Sequence, residues 1–420
     1  MNYPSNLYLF PYSRPLRRYS VPASTSQASK DLWSSVRRVR NGLVFTSINE
    51  KTVPYIWLRD NCRCSSCVHQ ATRQRNFDIF ELPEDIKPSK VTANEAGLEI
   101  QWSHESHTSF YSWDFLEIYI KGERPAPEDV PPEYFGAGGP SESNIEYGEF
   151  LKDKTRAVGR VTDMIKRKGL AFVTGVPTES ADMTKKLLEM IAFIRVTHYG
   201  GFYEFEPGLE HADTAYTNEA LPLHTDTTYF SDPCGLQSFH LLSHTDTSSQ
   251  GSSGVNLGGQ SLLLDGFHAA QILRKENPEA FKVLASFGLP FHASGDEGIA
   301  ITPDKLYPVL ECDSHHNMVR RIRWNKGDRA VNPLRDGTAE WYKAAAKWNE
   351  ILNREELVYR FQLEPGKVLI FNNWRVLHGR EAFIGQRRMC GGYINYDDWI
   401  SAWRNTNLTK REVSRQVIGE

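Results

Sequence analysis

No apolar stretch in the 420 residues approaches the ~18–20 that a helix needs to cross a bilayer, so a membrane-spanning chain is not expected. Charge of one sign is missing too. Lys and Arg number 49 against 52 Asp and Glu, a formal net charge of −3, which gives no polybasic surface for nucleic acid or anionic lipid. Cysteine is scarce and uneven: Cys62, Cys64 and Cys67 lie together, while Cys234, Cys312 and Cys390 are scattered. That is no disulfide framework and suits a reducing compartment such as the cytosol or matrix. There are no internal repeats and no strand–helix–strand rhythm, which sets aside solenoids and doubly wound sheets.

The first thirty residues lack acid altogether. No Asp or Glu precedes Asp31, while Arg14, Arg17, Arg18, Lys30 and six serines fall there. Arg-rich, Ser-rich and acid-poor is the composition of a mitochondrial transit peptide. Residues 1–30 are therefore expected to be a leader cut between Tyr19 and Ser20, which places the protein in the mitochondrial matrix. Pro4, Pro11 and Pro15 work against an amphipathic helix in it.

What is present beyond that is mostly short β pattern. Residues 31–123 carry alternations such as Leu98-Glu-Ile-Gln-Trp102 and the apolar run Val53–Leu58, and read as a small β-rich domain. Pro and Gly crowd residues 124–144, a linker signature. A domain over 145–410 opens with helical spacing at Phe150, Leu151, Val158, Val161 and Ile165, capped by Gly169. Strands are predicted at 170–176, 237–242, 261–265, 367–371 and 389–396. Helices are predicted at 182–194, at 268–286 restarting at Pro278, and at 338–352. Ser243–Gly259 reads as a loop and 411–420 as a tail. Helices first and then many strands predict an α+β, mainly β domain on an antiparallel barrel or jelly roll.

His224-Thr-Asp226 is the central chemical motif. In an extended segment residues i and i+2 share a face, so His224 and Asp226 can reach one ion. His378 is a candidate third ligand, and two histidines with one carboxylate form the facial triad of non-haem Fe(II) oxygenases. Cys62, Cys64 and Cys67 offer three thiolates, and a fourth ligand for zinc is available at His69, His104 or His107. Aromatics cluster near the triad at Tyr199, Phe202, Tyr203, Phe205, Tyr216 and Tyr229, and aromatic faces are how a protein recognises a quaternary ammonium.

From about Tyr199 to Trp399 the chain resembles the trimethyllysine and γ-butyrobetaine dioxygenases of carnitine biosynthesis. The resemblance is carried by Asp213-Thr-Ala-Tyr-Thr217, His224-Thr-Asp-Thr-Thr-Tyr-Phe230, Leu263-Leu-Asp-Gly266 and Asn373-Trp-Arg-Val-Leu-His-Gly-Arg380. Trp57-Leu-Arg-Asp-Asn-Cys-Arg-Cys-Ser-Ser-Cys67 matches the family's N-terminal domain. The resemblance implies a double-stranded β-helix in which His224, Asp226 and His378 hold Fe(II). It implies 2-oxoglutarate as co-substrate, its far carboxylate on Arg387 with a hydroxyl from Ser261, and ascorbate as reductant. Arg388 is the rival of Arg387. If Tyr393 faces the pocket, period two puts Arg387 and Met389 on its face and Arg388 on the other. An aromatic cage of Tyr199, Tyr203, Tyr216 and Tyr393 is implied for the trimethylammonium group, with Tyr203 where the family often has Trp. Asp213 stands where butyrobetaine enzymes tend to carry an amide, and its carboxylate would meet an α-ammonium. The implied zinc histidine is His107, and the implied assembly is a homodimer. Together these imply C3 hydroxylation of free trimethyllysine, the first step of carnitine biosynthesis. The alternatives are γ-butyrobetaine hydroxylation and a non-catalytic module that binds 2-oxoglutarate or methylated lysine.

Overall fold

The computed structural model describes residues 36–48, 50–122, 130–206, 217–246, 257–313 and 318–418. The expected leader, Asp213 and Tyr216 lie outside them, as do 247–256 of the Ser/Gly-rich segment. The chain divides into two compact units. One comprises residues before 130 together with those from Leu408 on, and the other is Val130–Asn407.

In the first unit, β1 (Val36–Val39), β2 (Gly42–Phe45) and β3 (Lys51–Pro54) form one antiparallel sheet, and β4 (Pro88–Ala93), β5 (Gly97–Trp102) and β6 (Thr108–Ser112) another. Alternation decides β5. Leu98, Ile100 and Trp102 are buried and join Leu43, Phe45 and Tyr111 in one core. The run Val53–Leu58, read with the β pattern of this domain, leaves the strand at Pro54. A helix starts at Tyr55 and runs to Asp60, because a proline fits just before a first helical turn and cannot continue a ladder. That helix delivers the chain directly into Cys62. The expected tail is also helix, Lys410–Val417, opened by a Thr409/Glu412 capping box, and Tyr119 Oη donates to Arg415 O at 2.9 Å.

The second unit contains β7 (Asn144–Glu146), β8 (Leu170–Thr174), β9 (Tyr203–Phe205), β10 (Leu221–His224), β11 (Leu236–Thr245), β12 (Ser261–Asp265), β13 (Leu310–Cys312), β14 (Val319–Ile322), β15 (Val358–Phe361), β16 (Lys367–Asn372), β17 (Val376–Arg380) and β18 (Gln386–Ile394). They make a six-stranded sheet, β7-β8-β16-β11-β18-β9, and a four-stranded one, β10-β17-β12-β15, with β13–β14 as a separate pair. All pairings in the two large sheets are antiparallel except β7–β8. Phe172, Leu241, Leu369, Phe371 and Met389 of the larger sheet share a core with Leu263 and Val376 of the smaller. Two antiparallel sheets closed face to face on one core are a jelly roll. Burial of each such side chain contributes about 1.5–3 kcal/mol.

Several expectations need adjusting. The first helix is two, Tyr147–Lys152 and Lys154–Lys168, separated at Asp153, whose carboxylate caps the second by accepting from Arg156 N. The strand expected to end at Leu242 runs to Thr245. The later half of the expected linker is built into the fold. Phe135 is buried in the jelly-roll core, and Glu133 O accepts from Arg375 Nη2 at 2.9 Å. Arg375 is itself buried in a two-pronged pair with Asp265, at 2.7 and 3.1 Å, and the same carboxylate caps helix Gly266–Glu276.

Candidate active site

Strands β10 and β17 are neighbours, and His224 and His378 lie directly opposite in their register, with ring centroids 4.2 Å apart. Asp226 follows the end of β10 in a turn clamped by Asn373. That amide accepts from Asp226 N at 2.8 Å and donates to Asp226 O and Cys234 O, each at 3.0 Å. Thr227 sits at φ 56°, a left-handed conformation that costs a β-branched residue about 1–3 kcal/mol. Its hydroxyl holds the turn by accepting from Cys234 N at 2.9 Å. Local strain is thus fixed where the carboxylate must be aimed.

Pro222 O lies 2.8 Å from His224 Nδ1. A carbonyl can only accept, so Nδ1 carries the proton and Nε2 keeps a lone pair for a metal. Asp226 Oδ1 is 3.1 Å from His224 Nε2 and 3.6 Å from His378 Nε2. Two ligands at right angles, each ~2.1 Å from an octahedral ion, would stand about 3 Å apart. Phe239 and Phe371 back the His378 ring at 5.6 and 5.0 Å. Burial would raise the Asp226 carboxyl, but His378, His224 and the Tyr393 hydroxyl outweigh it and hold it well below the usual range. Burial pushes His378 down to about 3. Both stay deprotonated at neutral pH, as metal ligands must. The three donor atoms fit iron.

The triad lines a cavity of about 500 Å³. Arg387, Met389 and Tyr393 of β18 face into it, whereas Arg388 points away and pairs with Glu204. Arg387 is 4% exposed, and its Nε has no hydrogen-bond partner among the described residues. Burial and then the nearby Arg380 charge lower it, but only to about 10. A buried cation of this kind calls for an anionic ligand, and a guanidinium fits a carboxylate. Ser261 also lines the cavity, opposite Arg380 in the ladder. Gly258 and Gly259 both have positive φ ahead of it, and a Cβ on Gly258 would strike Ala382 O.

Of the expected cage, Tyr199, Tyr203 and Tyr393 line the same cavity, and Tyr229 joins them. Tyr203 and Tyr393 meet edge to face at 5.8 Å. Tyr203 lies across Gly391, where a Cβ would come within 2.9 Å of its ring. Sequence reasoning missed another part of the lining, His292–Asp296 and Asn325–Asp328, which loops bring from far along the chain. It also missed Gln237, a buried amide whose Nε2 donates to Asp226 Oδ2 at 2.6 Å. Gln237 shares the predicted strand with the polar Ser238 and His240, so nothing in the sequence singled it out.

In the first unit Cys62, Cys64, Cys67 and His107 converge. His107 Nε2 is 3.4, 3.9 and 3.4 Å from the three sulfurs, and all four ligand atoms lie within 4.8 Å of one another. Tetrahedral zinc with Zn–S ~2.3 Å and Zn–N ~2.05 Å sets an S···N edge of about 3.6 Å. The donor set therefore fits zinc. His104 instead lies 3.2 Å from Glu105, and His69 Nδ1 accepts from Thr72 N. Buried Arg59 donates to Cys67 Sγ at 3.3 Å and pairs with Glu105, which places a cation beside the thiolates.

A jelly roll bearing such a triad defines a class, the non-haem iron oxygenases. Comparison with known proteins narrows it. The family "Taurine catabolism dioxygenase TauD, TfdA family" matches residues 126–393, and "Gamma-butyrobetaine hydroxylase-like, N-terminal" matches 42–117. A Neurospora crassa protein named trimethyllysine dioxygenase is 50% identical over 392 residues, covering 87% of this chain and 83% of its own. One of the same name from Meyerozyma guilliermondii is 37% identical, covering 85% and 91%. The human protein named "Trimethyllysine dioxygenase, mitochondrial" is 36% identical, covering 84% and 82%. The chain belongs to the TauD, TfdA family of iron- and 2-oxoglutarate-dependent dioxygenases and, within it, to the trimethyllysine dioxygenases.

Proposed function

We propose that this chain hydroxylates free trimethyllysine at C3, with 2-oxoglutarate and O2 as co-substrates. The observation that supports it most is one cavity with three complementary features: a cluster of two histidines and an aspartate, a buried guanidinium whose Nε has no partner among the described residues, and a set of tyrosine faces. His224, Asp226 and His378 would hold Fe(II), which supplies O2 activation coupled to decarboxylation of 2-oxoglutarate to succinate and CO2. Arg387 binds the co-substrate's far carboxylate, helped by Ser261. Tyr199, Tyr203, Tyr216 and Tyr393 receive the trimethylammonium group, which cannot donate a hydrogen bond and so selects aromatic faces at about 0.5–2 kcal/mol each. Asp213 pairs with the α-ammonium that butyrobetaine lacks. The protein's contribution is placement of the substrate C–H beside the open side of the triad. Zinc on Cys62, Cys64, Cys67 and His107 is structural, and the working form is a homodimer in the mitochondrial matrix.

The test is a mass-spectrometric turnover assay with Fe(II), ascorbate and 2-oxoglutarate, offering trimethyllysine and γ-butyrobetaine separately. Oxygen gain on trimethyllysine, matched by succinate, is the expected result. Gain mainly on γ-butyrobetaine would reassign the substrate. Binding of iron and 2-oxoglutarate with no product from either would favour the binding-module reading. Asp213→Asn is expected to impair trimethyllysine more than γ-butyrobetaine, and equal losses would reject its role.

A further inference from the structure

Each oxygen of Asp226 has its own neighbours. Oδ1 faces the two histidine Nε2 atoms, at 3.1 and 3.6 Å. Oδ2 accepts two hydrogen bonds, from Gln237 Nε2 at 2.6 Å and from Tyr393 Oη at 2.7 Å. The two donors are cross-strand partners, Gln237 on β11 directly opposite Tyr393 on β18, so one rung of the larger sheet delivers both. Gln237 and Tyr393 are 2% and 6% exposed, and Gln237 Oε1 has no partner among the described residues. The amide orientation follows, because an ionised carboxylate can only accept and the NH2 end must face it.

From this geometry we propose that Gln237 and Tyr393 are positioning residues that make Asp226 a one-oxygen ligand. With Oδ2 bound by two donors, the carboxylate cannot rotate to chelate through both oxygens. A coordination site that a bidentate aspartate would fill is kept for the co-substrate or O2. The two hydrogen bonds also hold the carboxylate in its ligating orientation before metal arrives, so their loss weakens metal binding. Tyr393 joins this task to its place in the cavity wall: the ring lies 5.8 Å from Tyr203, while the hydroxyl holds the metal ligand. The side chain that meets the substrate cation thus also sets the angle of the iron carboxylate.

The proposal rests on the reading of His224, Asp226 and His378 as iron ligands, and the experiment separates the two. Mn(II) and Fe(II) affinities are measured on the full chain, for the parent, Tyr393→Phe, Gln237→Leu and the double variant, with Co(II) absorption as a coordination-number readout. Tyr393→Phe keeps the ring and removes only the hydroxyl, so it serves even if Gln237→Leu misfolds. Each single variant is expected to weaken metal binding about 10-fold or more. The cobalt spectrum is expected to shift toward higher coordination number as Asp226 becomes bidentate. Parent-like affinity within about 2-fold and an unchanged cobalt spectrum in Tyr393→Phe would overturn the clamp. Failure of the parent itself to bind any of the three ions would instead overturn the triad reading.

Discussion

The two ligand clusters of this chain, three thiols with one imidazole and two imidazoles with one carboxylate, solve opposite problems. In the N-terminal unit three sulfurs and one imidazole close around a point, and a tetrahedral ion there would have no position left. In the jelly roll three ligands stand on one side of a point and a cavity of about 500 Å³ opens on the other. The difference lies in the backbone. The cysteines come from one tight segment between Cys62 and Cys67, bound up by local bonds such as Cys67 N and Val68 N on Cys64 O. The triad comes from two strands and a strained turn, with supporting hydrogen bonds that reach across the sheet to Gln237 and Tyr393. The closed cluster takes three ligands from one short segment and adds a distant His107, whereas the open one joins the close pair His224 and Asp226 to a distant His378 and leaves one face clear.

The open site is the more sensitive of the two to substitution. His224→Ala or Asp226→Ala is expected to lower turnover on the order of 10³-fold or more while zinc content stays at the parental level. Product mass and elemental analysis on the same sample check both halves. Next in size is Arg387→Ala, which removes the buried cation whose Nε has no hydrogen-bond partner among the described residues. A loss of about 2–4 kcal/mol, roughly 30- to 1,000-fold in the 2-oxoglutarate concentration needed, is expected from isothermal titration, with Arg387→Lys between the two. At the closed site Cys62→Ser should release zinc and lower the melting temperature of the N-terminal unit, followed by calorimetry. A chelator series sharpens the contrast: increasing EDTA should strip iron from the three-ligand site before zinc from the four-ligand site. Simultaneous loss would show that the two sites are equally exposed to solvent and competitor.

The smallest effect concerns the proton of a histidine that belongs to neither ligand cluster. His240 is fully buried on β11. Its Nε2 accepts from Gly366 N at 3.2 Å, so its Nδ1 carries the proton and donates to Thr184 Oγ1 at 2.7 Å. Burial pushes this imidazole down to about 4, below its unfolded value of about 6.5. As pH falls through that window the unfolded chain takes up the proton first, so the stability of the neutral ring is present above pH ~6.5 and lost progressively toward pH ~4. Melting temperatures of the parent should drop over this interval more steeply than those of His240→Asn. Parallel curves would remove His240 from the account.

Much of the jelly roll was legible because its strands repeat every two residues and its helices carry their own caps. Gly169 ends one helix, Pro278 restarts another, and the Trp341/Trp348 face marks a third. The spacing of two between His224 and Asp226 marked the pair, although Asp226 lies in the turn after β10 and not in the strand, while period two did turn Arg387 toward the cavity and Arg388 away from it. What the pattern hid was tertiary. Phe135 is core although it sits among prolines and glycines, because its place is fixed by Asp265 and Arg375 far along the chain. The His292–Asp296 and Asn325–Asp328 walls have no periodicity to read. The Lys410–Val417 helix was legible after all, since Thr409-x-x-Glu412 is a capping box in plain sequence.

The facing register of His224 and His378 has a consequence for folding. Side chains alternate between faces along a strand, so a slip of one residue between β10 and β17 would turn one histidine to the wrong side and leave the ion with two ligands at most. Iron can therefore be held tightly only by chains whose strands have paired correctly. Through mass action it would favour that pairing over its near neighbours. Besides its part in the reaction, the metal would act as a proofreader of the sheet.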